Sequence, residues 1–408
     1  MSQPRLVHFL TTLCISILSP ALSAQPFVPA SADYVVETLP TAIASLSKEL
    51  AENRTRITDS RIDSTHTDVQ LAEIEKQALA AYRIAVNTQE QRAYGHTLAI
   101  LKRWPTQEEK TATIHILLAS VLQHEHQFRE ALAHLDAALI KDSTNAQAWL
   151  MRAQINLVVA DYNAARESCN VLNNLVQPAI SINCIAQVDA LTGNAQSSLT
   201  LLENVLGENR NLSRQDYAEL FTSAASMAHR LGKSEDAIRY YNTAWQVSPD
   251  QPYVLVHYAQ LLLEQSRSHD AISLFASRDE RALSDEQKIL YTRALLMSEE
   301  PYNIAHANRL KKNLEDSFKS AFKREEALPN KAYAQYALYI SKQPQEALVA
   351  ARANWSLQKE PSDTLLLALA AQENDAQAVL AVLARWIDAH HTEDVRLDKV
   401  FADNGVIR

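Results

Sequence analysis

Residues 218–251 read AELFTSAASMAHRLGKSEDAIRYYNTAWQVSPDQ, two apolar-periodic segments on either side of a short turn. Phe221, Ala224 and Ala225 recur at helical spacing in the first segment, and Ala237, Ile238, Tyr241 and Ala244 do so in the second. Leu231-Gly232-Lys233 separates them, and Pro249 ends the second segment because a proline cannot continue a helix. The same punctuation recurs along the chain. Ala119, Ala153, Ala186, Ala225 and Ala259 stand 34, 33, 39 and 34 residues apart. Twelve residues after each comes a second small residue: Ala131, Ala165, Ser198, Ala237 and Ala271. Small side chains at these places let two helices approach closely. A period of this length, made of two helical segments, marks a stacked helix-turn-helix array.

Further copies occupy 112–145, 146–178, 179–212 and 252–285. Divergent units are expected at 78–111, at 287–325 with a long second helix over 303–323, at 328–360 and at 362–390. The set 112–275 resembles tetratricopeptide repeats, with Ala where Gly is more usual on the first helix. The resemblance implies an all-α fold, a right-handed TPR-like α-solenoid of seven or eight antiparallel helix pairs. Three stretches resemble a narrower family of exported proteobacterial tetratricopeptide proteins: DYVVETLP (33–40), LASVLQHEHQFREALAHLD (118–136) and ANWSLQKEPSDTLLL (353–367). That resemblance implies fold and export, and no catalytic residue.

Composition agrees with helices. Gly is only 5 of 408 residues, against a usual share of about 7%, and since sheet proteins need Gly for turns with positive φ, its scarcity argues for helices joined by short turns. The organisation read from the chain is a signal peptide at 1–24, an extended lead-in with helices at 25–77, the repeat array at 78–285, divergent helix pairs at 286–390 and a C-terminal tail at 391–408. The signal has Arg5, an apolar run from Leu6 to Leu18, Pro20, and a small-residue cleavage site after Ser23 or Ala24. The run is shorter than the ~20 apolar residues of a spanning helix, and Leu13 before Cys14 is a poor lipidation signal. A periplasmic mature chain with no membrane insertion is therefore expected. Loss of Arg5 leaves 38 basic against 48 acidic residues, a net charge of −10, which speaks against nucleic acid as a partner. The two remaining cysteines, Cys169 and Cys184, fall on adjacent helices, where an oxidising compartment permits a disulfide.

The first helix of each pair is expected to line a concave groove. Gln154, Gln187 and Gln260 share one motif position, and their amides can donate to and accept from the backbone of an extended peptide. Asn183 and His229 join them, with Tyr291, Tyr336 and Tyr339 as aromatic anchors. Arg230 is nearly alone as a cation on this face, so a clamp for acidic peptide tails is not expected. His124-Glu125-His126, with His115 and His134 nearby, is the one dense set of metal-ligand types. It lacks the two histidines one helical turn apart of the H-E-x-x-H zinc motif and falls in a turn, as does His390-His391 near the end. No metal or cofactor is expected. No G-x-S-x-G, Walker, G-x-G-x-x-G or C-x-x-C sequence is present, and the chain is read as a non-enzymatic scaffold for a protein or peptide. Two other readings remain at this stage: a metal- or small-ligand-binding solenoid centred on 115–134, and a helical-superhelix hydrolase with two carboxylates facing across a pocket.

Overall fold

The computed structural model describes residues 68–88, 91–104, 110–208, 212–249, 251–323 and 330–406. The segment expected to be a signal peptide and the lead-in up to residue 67 lie outside the described residues. Within them the chain is all-α. It runs through α1 (Asp68–Thr88), α2 (Gln91–Leu101), α3 (Ala112–His124), α4 (Phe128–Lys141), α5 (Ala146–Val158), α6 (Tyr162–Leu172), α7 (Pro178–Leu191), α8 (Ala195–Glu208), α9 (Arg214–Arg230) and α10 (Ser234–Val247). There follow α11 (Pro252–Glu264), α12 (Ser268–Phe275), α13 (Asp285–Met297), α14 (Pro301–Lys323), α15 (Asn330–Gln335, continued as a π-helical turn Tyr336–Ser341), α16 (Pro344–Leu357), α17 (Pro361–Gln372), α18 (Gln377–His390) and α19 (Val395–Asp403). Nine successive antiparallel pairs account for α1 to α18.

Local chemistry sets the helix ends. First helices begin on side-chain caps at Thr111, Asn145, Ser213 and Ser284 or on a proline in the first turn, as at Pro178, Pro252 and Pro361. Each of α3, α5, α7, α9, α11 and α17 ends on one left-handed residue: His126, Ala160, Gly193, Gly232, Ser266 and Asp375. Behind it a backbone N–H reaches back six residues inclusive to an orphan carbonyl, as in Gln127 to Leu122, Lys233 to Ala228 and Ala376 to Ala371. Glu299 and Lys342 mark the same turn after α13 and α15. These eight residues are 34, 33, 39, 34, 33, 43 and 33 apart, so the beat continues beyond residue 275. In α15 the π-turn widens the loop by one residue, and Gln343 reaches Ala337.

Nine of the ten small residues of the beat have no exposed surface, and Ser198 has 3%. First helices of neighbouring pairs touch each other, whereas second helices of neighbouring pairs stay farther apart. Tighter stacking on one side bends the array, and the first helices take the concave side.

Three expectations change. The boundary at 77/78 cuts through α1, which starts at Asp68. The helix pairs among the described residues number nine, where seven or eight were expected. The segment 391–408 is not a simple tail, since it carries α19, whose Phe401 is 1% exposed. Periodicity over only nine residues is too brief to register as a helix in sequence.

The C-terminal end of the array folds back onto its middle units. The turn between α16 and α17 places Lys359 N–H on the Val158 carbonyl at 2.7 Å. The turn between α18 and α19 lies across the turns that follow α5, α7, α9 and α11. His390 packs edge-on to Tyr162 at 5.5 Å. Thr392 donates to the Leu191 carbonyl at 3.3 Å, and Glu393 accepts from the Ala195 N–H at 2.7 Å. Arg230, 3% exposed, donates to the carbonyls of Ala190 and Glu393 at 3.0 and 3.4 Å. The concave face is thus closed along one edge by its own C-terminal segment.

Candidate functional site

Tyr253, His257, Gln260 and Glu264 follow one another by four, three and four residues, so they form one stripe along α11. On α13 the matching stripe is Glu286 and Arg293, and on α15 it is Lys331, Gln335 and Tyr339, where the π-turn keeps Tyr339 on the inner row. The C-terminal segment faces them with Glu360, Asp363, Asp394 and Arg396. The result is a polar interior walled by otherwise apolar helices.

One end is built around Glu264. Its Oε2 accepts from His229 Nε2 at 2.8 Å and from Arg396 Nη1 at 3.4 Å, and its Oε1 accepts from Gln260 Nε2 at 3.0 Å. Burial works against the Glu264 charge, but His229 and Arg396 more than offset it and hold the carboxyl at about 2. Arg396 also makes a two-pronged pair with the fully buried Asp394 carboxylate, at 2.9 and 2.7 Å. Asp394 in turn caps α19. Burial lowers His257 to about 3, assisted by the charges of Lys331, His229 and Arg396, so the ring is neutral at any physiological pH. Tyr253, half exposed, lies against His257 with ring centres 4.1 Å apart. Burial, then the Glu360 charge, raises its hydroxyl well above the ordinary range.

The other end is built around Lys331. Its ammonium lies 3.3 Å from Asp363, 3.9 Å from Glu360 and 4.0 Å from Glu286, and donates to Ser362 Oγ at 3.1 Å. The first turn of α17 fixes two of these acids. Glu360 and Asp363 form a reciprocal cap, with Pro361 at the first helical position. Asp363 is fully buried and also accepts from Asn354 at 3.0 Å. Burial opposes the Lys331 charge, but the three carboxylates hold it above the usual lysine range. Burial pushes Glu360 up to about 7 despite Lys331.

Of the residues named from sequence, the structure brings His229, Gln260 and Tyr339 into this interior. The three glutamines are not equivalent. Gln260 is committed to Glu264, whereas Gln154 on α5 and Gln187 on α7 make no side-chain hydrogen bond to described residues. Asn183 on α7 is 7% exposed, and its carbonyl oxygen has no partner. Tyr291 and Tyr336 are corrected: they are core residues. Tyr291 is 6% exposed and stacks on Phe275 at 5.0 Å, and Tyr336 is 5% exposed and packs on Phe318 at 5.2 Å. The regular step of 33 carries Gln260 onto Arg293, two residues from Tyr291, and the 43-residue step between Glu299 and Lys342 displaces the register at Tyr336. The true inner row of α13 is marked by its charges, Glu286 and Arg293.

The histidines at 115–134 do not converge. His115 and His134 face each other Nδ1 to Nδ1 at 2.9 Å, and His124 stacks on Tyr94 with ring centres 3.5 Å apart. His126 lies edge-on to Phe128. Among the described residues no group of three or more His, Cys, Asp or Glu is placed to hold a metal ion, and no helix is long and apolar enough to cross a membrane. Each interior carboxylate is in an ion pair. Cys169 on α6 and Cys184 on α7 form a disulfide with Cα atoms 5.5 Å apart.

Sequence reasoning missed Tyr253, His257, Glu264, Arg293, Lys331 and Arg396. Five of them carried a signal, polar residues at helical spacing on otherwise apolar first helices. Arg396 carried none, because only the tertiary fold brings it there.

No family model and no curated protein matches the chain. Solved structures similar to it include PilW, a widely conserved type IV pilus biogenesis factor, at 19% identity over 54% of this chain and 98% of that one, with a TM-score of 0.39. A Rap protein complexed with competence and sporulation factor is 13% identical over 89% and 94%, with a TM-score of 0.44. A tetratricopeptide repeat protein from Parabacteroides merdae is 13% identical over 73% and 99%, with a TM-score of 0.35. On its own helices the chain is an all-α array of stacked, antiparallel helix-turn-helix pairs.

Proposed function

We propose that this chain is an exported, periplasmic scaffold that binds a protein or peptide partner on its concave face. One observation carries the reading: the inner rows of α11, α13 and α15 present polar groups that the fold itself does not satisfy. The Tyr253 hydroxyl, the His257 ring and the Arg293 guanidinium make no hydrogen bond with described residues. Polar groups kept on an inner wall without partners are suited to the backbone and side chains of a ligand. The disulfide supports export, since such bonds persist in oxidising compartments.

The test has two parts. Fractionation of a C-terminally tagged chain should find it in the periplasm with an N-terminus at Ala24 or Gln25. Display selection of random peptides on the mature chain should enrich binders that Tyr253→Ala and His257→Ala variants retain at about a tenfold lower level, the effect of losing a central contact. Equal retention by the variants would remove the concave face from the proposal.

A further inference from the structure

The C-terminal helices meet the rest of the array in two places, and the two contacts differ in kind. Along the stack the contact is apolar. Ile289 of α13, Leu314 and Phe318 of α14, and Ala332, Tyr336 and Ile340 of α15 share one buried cluster. Ala334, Ala337 and Leu338 then carry α15 into the core of α16–α19. Across the edge of the concave face the contact is polar. The Lys359 N–H reaches the Val158 carbonyl at 2.7 Å, Thr392 donates to the Leu191 carbonyl at 3.3 Å, and Glu393 accepts from the Ala195 N–H at 2.7 Å. Arg230 donates to the Glu393 carbonyl and Arg396 to Glu264, each at 3.4 Å. The buried apolar cluster of α15–α19 takes no described residue from α1–α12.

Buried apolar surface holds neighbouring units together, whereas hydrogen bonds of this kind exchange with water at small net cost. The edge is also loosely packed. A cleft of about 510 Å³ separates Arg230 and Leu231 from Asp388, His391, Val395 and Asp398. Arg230 Nε is buried there without a hydrogen-bond partner among the described residues, a cost of the closed arrangement that hydration removes. An apolar joint on one side and a polar edge on the other is the construction of a part that swings. Resting on the concave-face reading above, we infer that α16–α19 form a lid, hinged on α13–α15 and latched by this polar edge, and that the concave interior takes up its ligand when the latch lets go. Opening withdraws Arg396 from Glu264 and clears the edge in front of α9 and α11.

Two measurements on the mature chain test this. Spin labels on Gln196→Cys of α8 and Arg385→Cys of α18 read the distance across the edge; both positions are exposed, and the native cysteines are held in their disulfide. The latch-intact chain gives one main distance and a longer minor one. Thr392→Val with Glu393→Ala raises the longer population about fivefold or more, the effect of losing two hydrogen bonds. Glu393→Gln, which removes only a charge, takes the place of the pair if the pair does not fold. An unchanged distance distribution overturns the lid, and if amide exchange of 391–403 rises at the same time, α19 peels away alone. The second measurement locks the edge. A Cβ on Gly232 would lie 4.0 Å from Val395 Cβ, within the ~3.5–4.5 Å that a disulfide spans. Gly232→Cys with Val395→Cys, oxidised, retains the peptides selected on the parent chain at about one-tenth or less of the level of either single variant, because the open form is no longer populated. Equal retention overturns gating by the lid and leaves peptide binding standing. Failure to select any peptide overturns the concave-face reading, and the label distances then decide the lid.

Discussion

Gly193 and His391 measure the closure of the array directly. Gly193 has φ +88°, and a Cβ built on it would lie 3.0 Å from His391 Cβ and 3.4 Å from the His391 carbonyl oxygen. An alanine there incurs two costs. The left-handed backbone costs about 1–2 kcal/mol for a residue with a Cβ. The contact then forces His391 away, and His391 sits between anchored neighbours, Thr392 on Leu191 and Glu393 on the Ala195 N–H. Loosening those bonds, one of them to a charged group, adds about 1–3 kcal/mol. His391→Gly removes the opposing Cβ, and His391 is itself left-handed at φ +56°, so this change should be neutral or mildly stabilising. Gly193→Ala should therefore cost about 1 kcal/mol less, or better, in the His391→Gly background than in the parent chain. Repeat arrays need not unfold in one step. The readout is consequently urea unfolding combined with amide exchange of residues 391–403, which Gly193→Ala should deprotect. The same cost in both backgrounds, with unchanged exchange at 391–403, would refute docking of this segment on the α7–α8 turn.

Three further outcomes follow from the geometry. Reduction, or Cys169→Ser with Cys184→Ser, should lower stability by about 3 kcal/mol, the loop-closure value for a span of this size; two free thiols in the chain purified under oxidising conditions would contradict the pairing. Lys331→Met leaves the fully buried Asp363 without its cation and should cost about 3–5 kcal/mol, read by denaturant titration against a Lys331→Met, Asp363→Asn double variant that recovers part of the loss. Glu360 has its folded pKa raised to about 7 from 4.5, so the folded state holds the proton between those values and the unfolded state does not. Stability from this group is full below about pH 4.5 and declines as pH rises to about 7. Glu360→Gln should flatten that decline, and an unchanged slope over this window would show that Glu360 titrates normally.

The fold was legible because a helical array repeats its instructions. Small residues at a fixed interval have one physical use, close helix contact, and all ten of them are buried. The inner face was legible only where the period holds. Counting from Ala225 and Ala259 places His229 and Gln260 on the inner row, and both are found at Glu264. Between α13 and α15 the long α14 and the π-turn change the interval to 43, and Tyr336 falls into the core; in α13, where the interval is still 33, that step carries Gln260 onto Arg293 and leaves Tyr291, two residues away, in the core. A one-residue slip rotates a helix by about 100°, enough to exchange inner and buried faces. Charge is the better guide in those units, because Glu286, Arg293 and Lys331 cannot be buried without partners.

The closure itself left a trace in the sequence. Left-handed residues end first helices at eight comparable turns, and six of these are His126, Ala160, Ser266, Glu299, Lys342 and Asp375. Positive φ alone therefore does not demand glycine in this architecture. At the two turns that do use it, Gly193 and Gly232, a Cβ would lie 3.0 Å from His391 Cβ and 3.2 Å from Val395 Cγ2 of the C-terminal segment. Glycine is selected at these sites by the neighbour, with backbone conformation a shared background. In a chain with only 5 glycines, two spent on adjacent turns mark the surface on which another part of the same chain must dock. Ala160→Gly should change stability by less than about 1 kcal/mol, while Gly232→Ala should release Val395 and raise amide exchange in α19. An Ala160→Gly variant that loosens α19 as much as Gly232→Ala does would show that turn conformation, and not the docked segment, governs both positions.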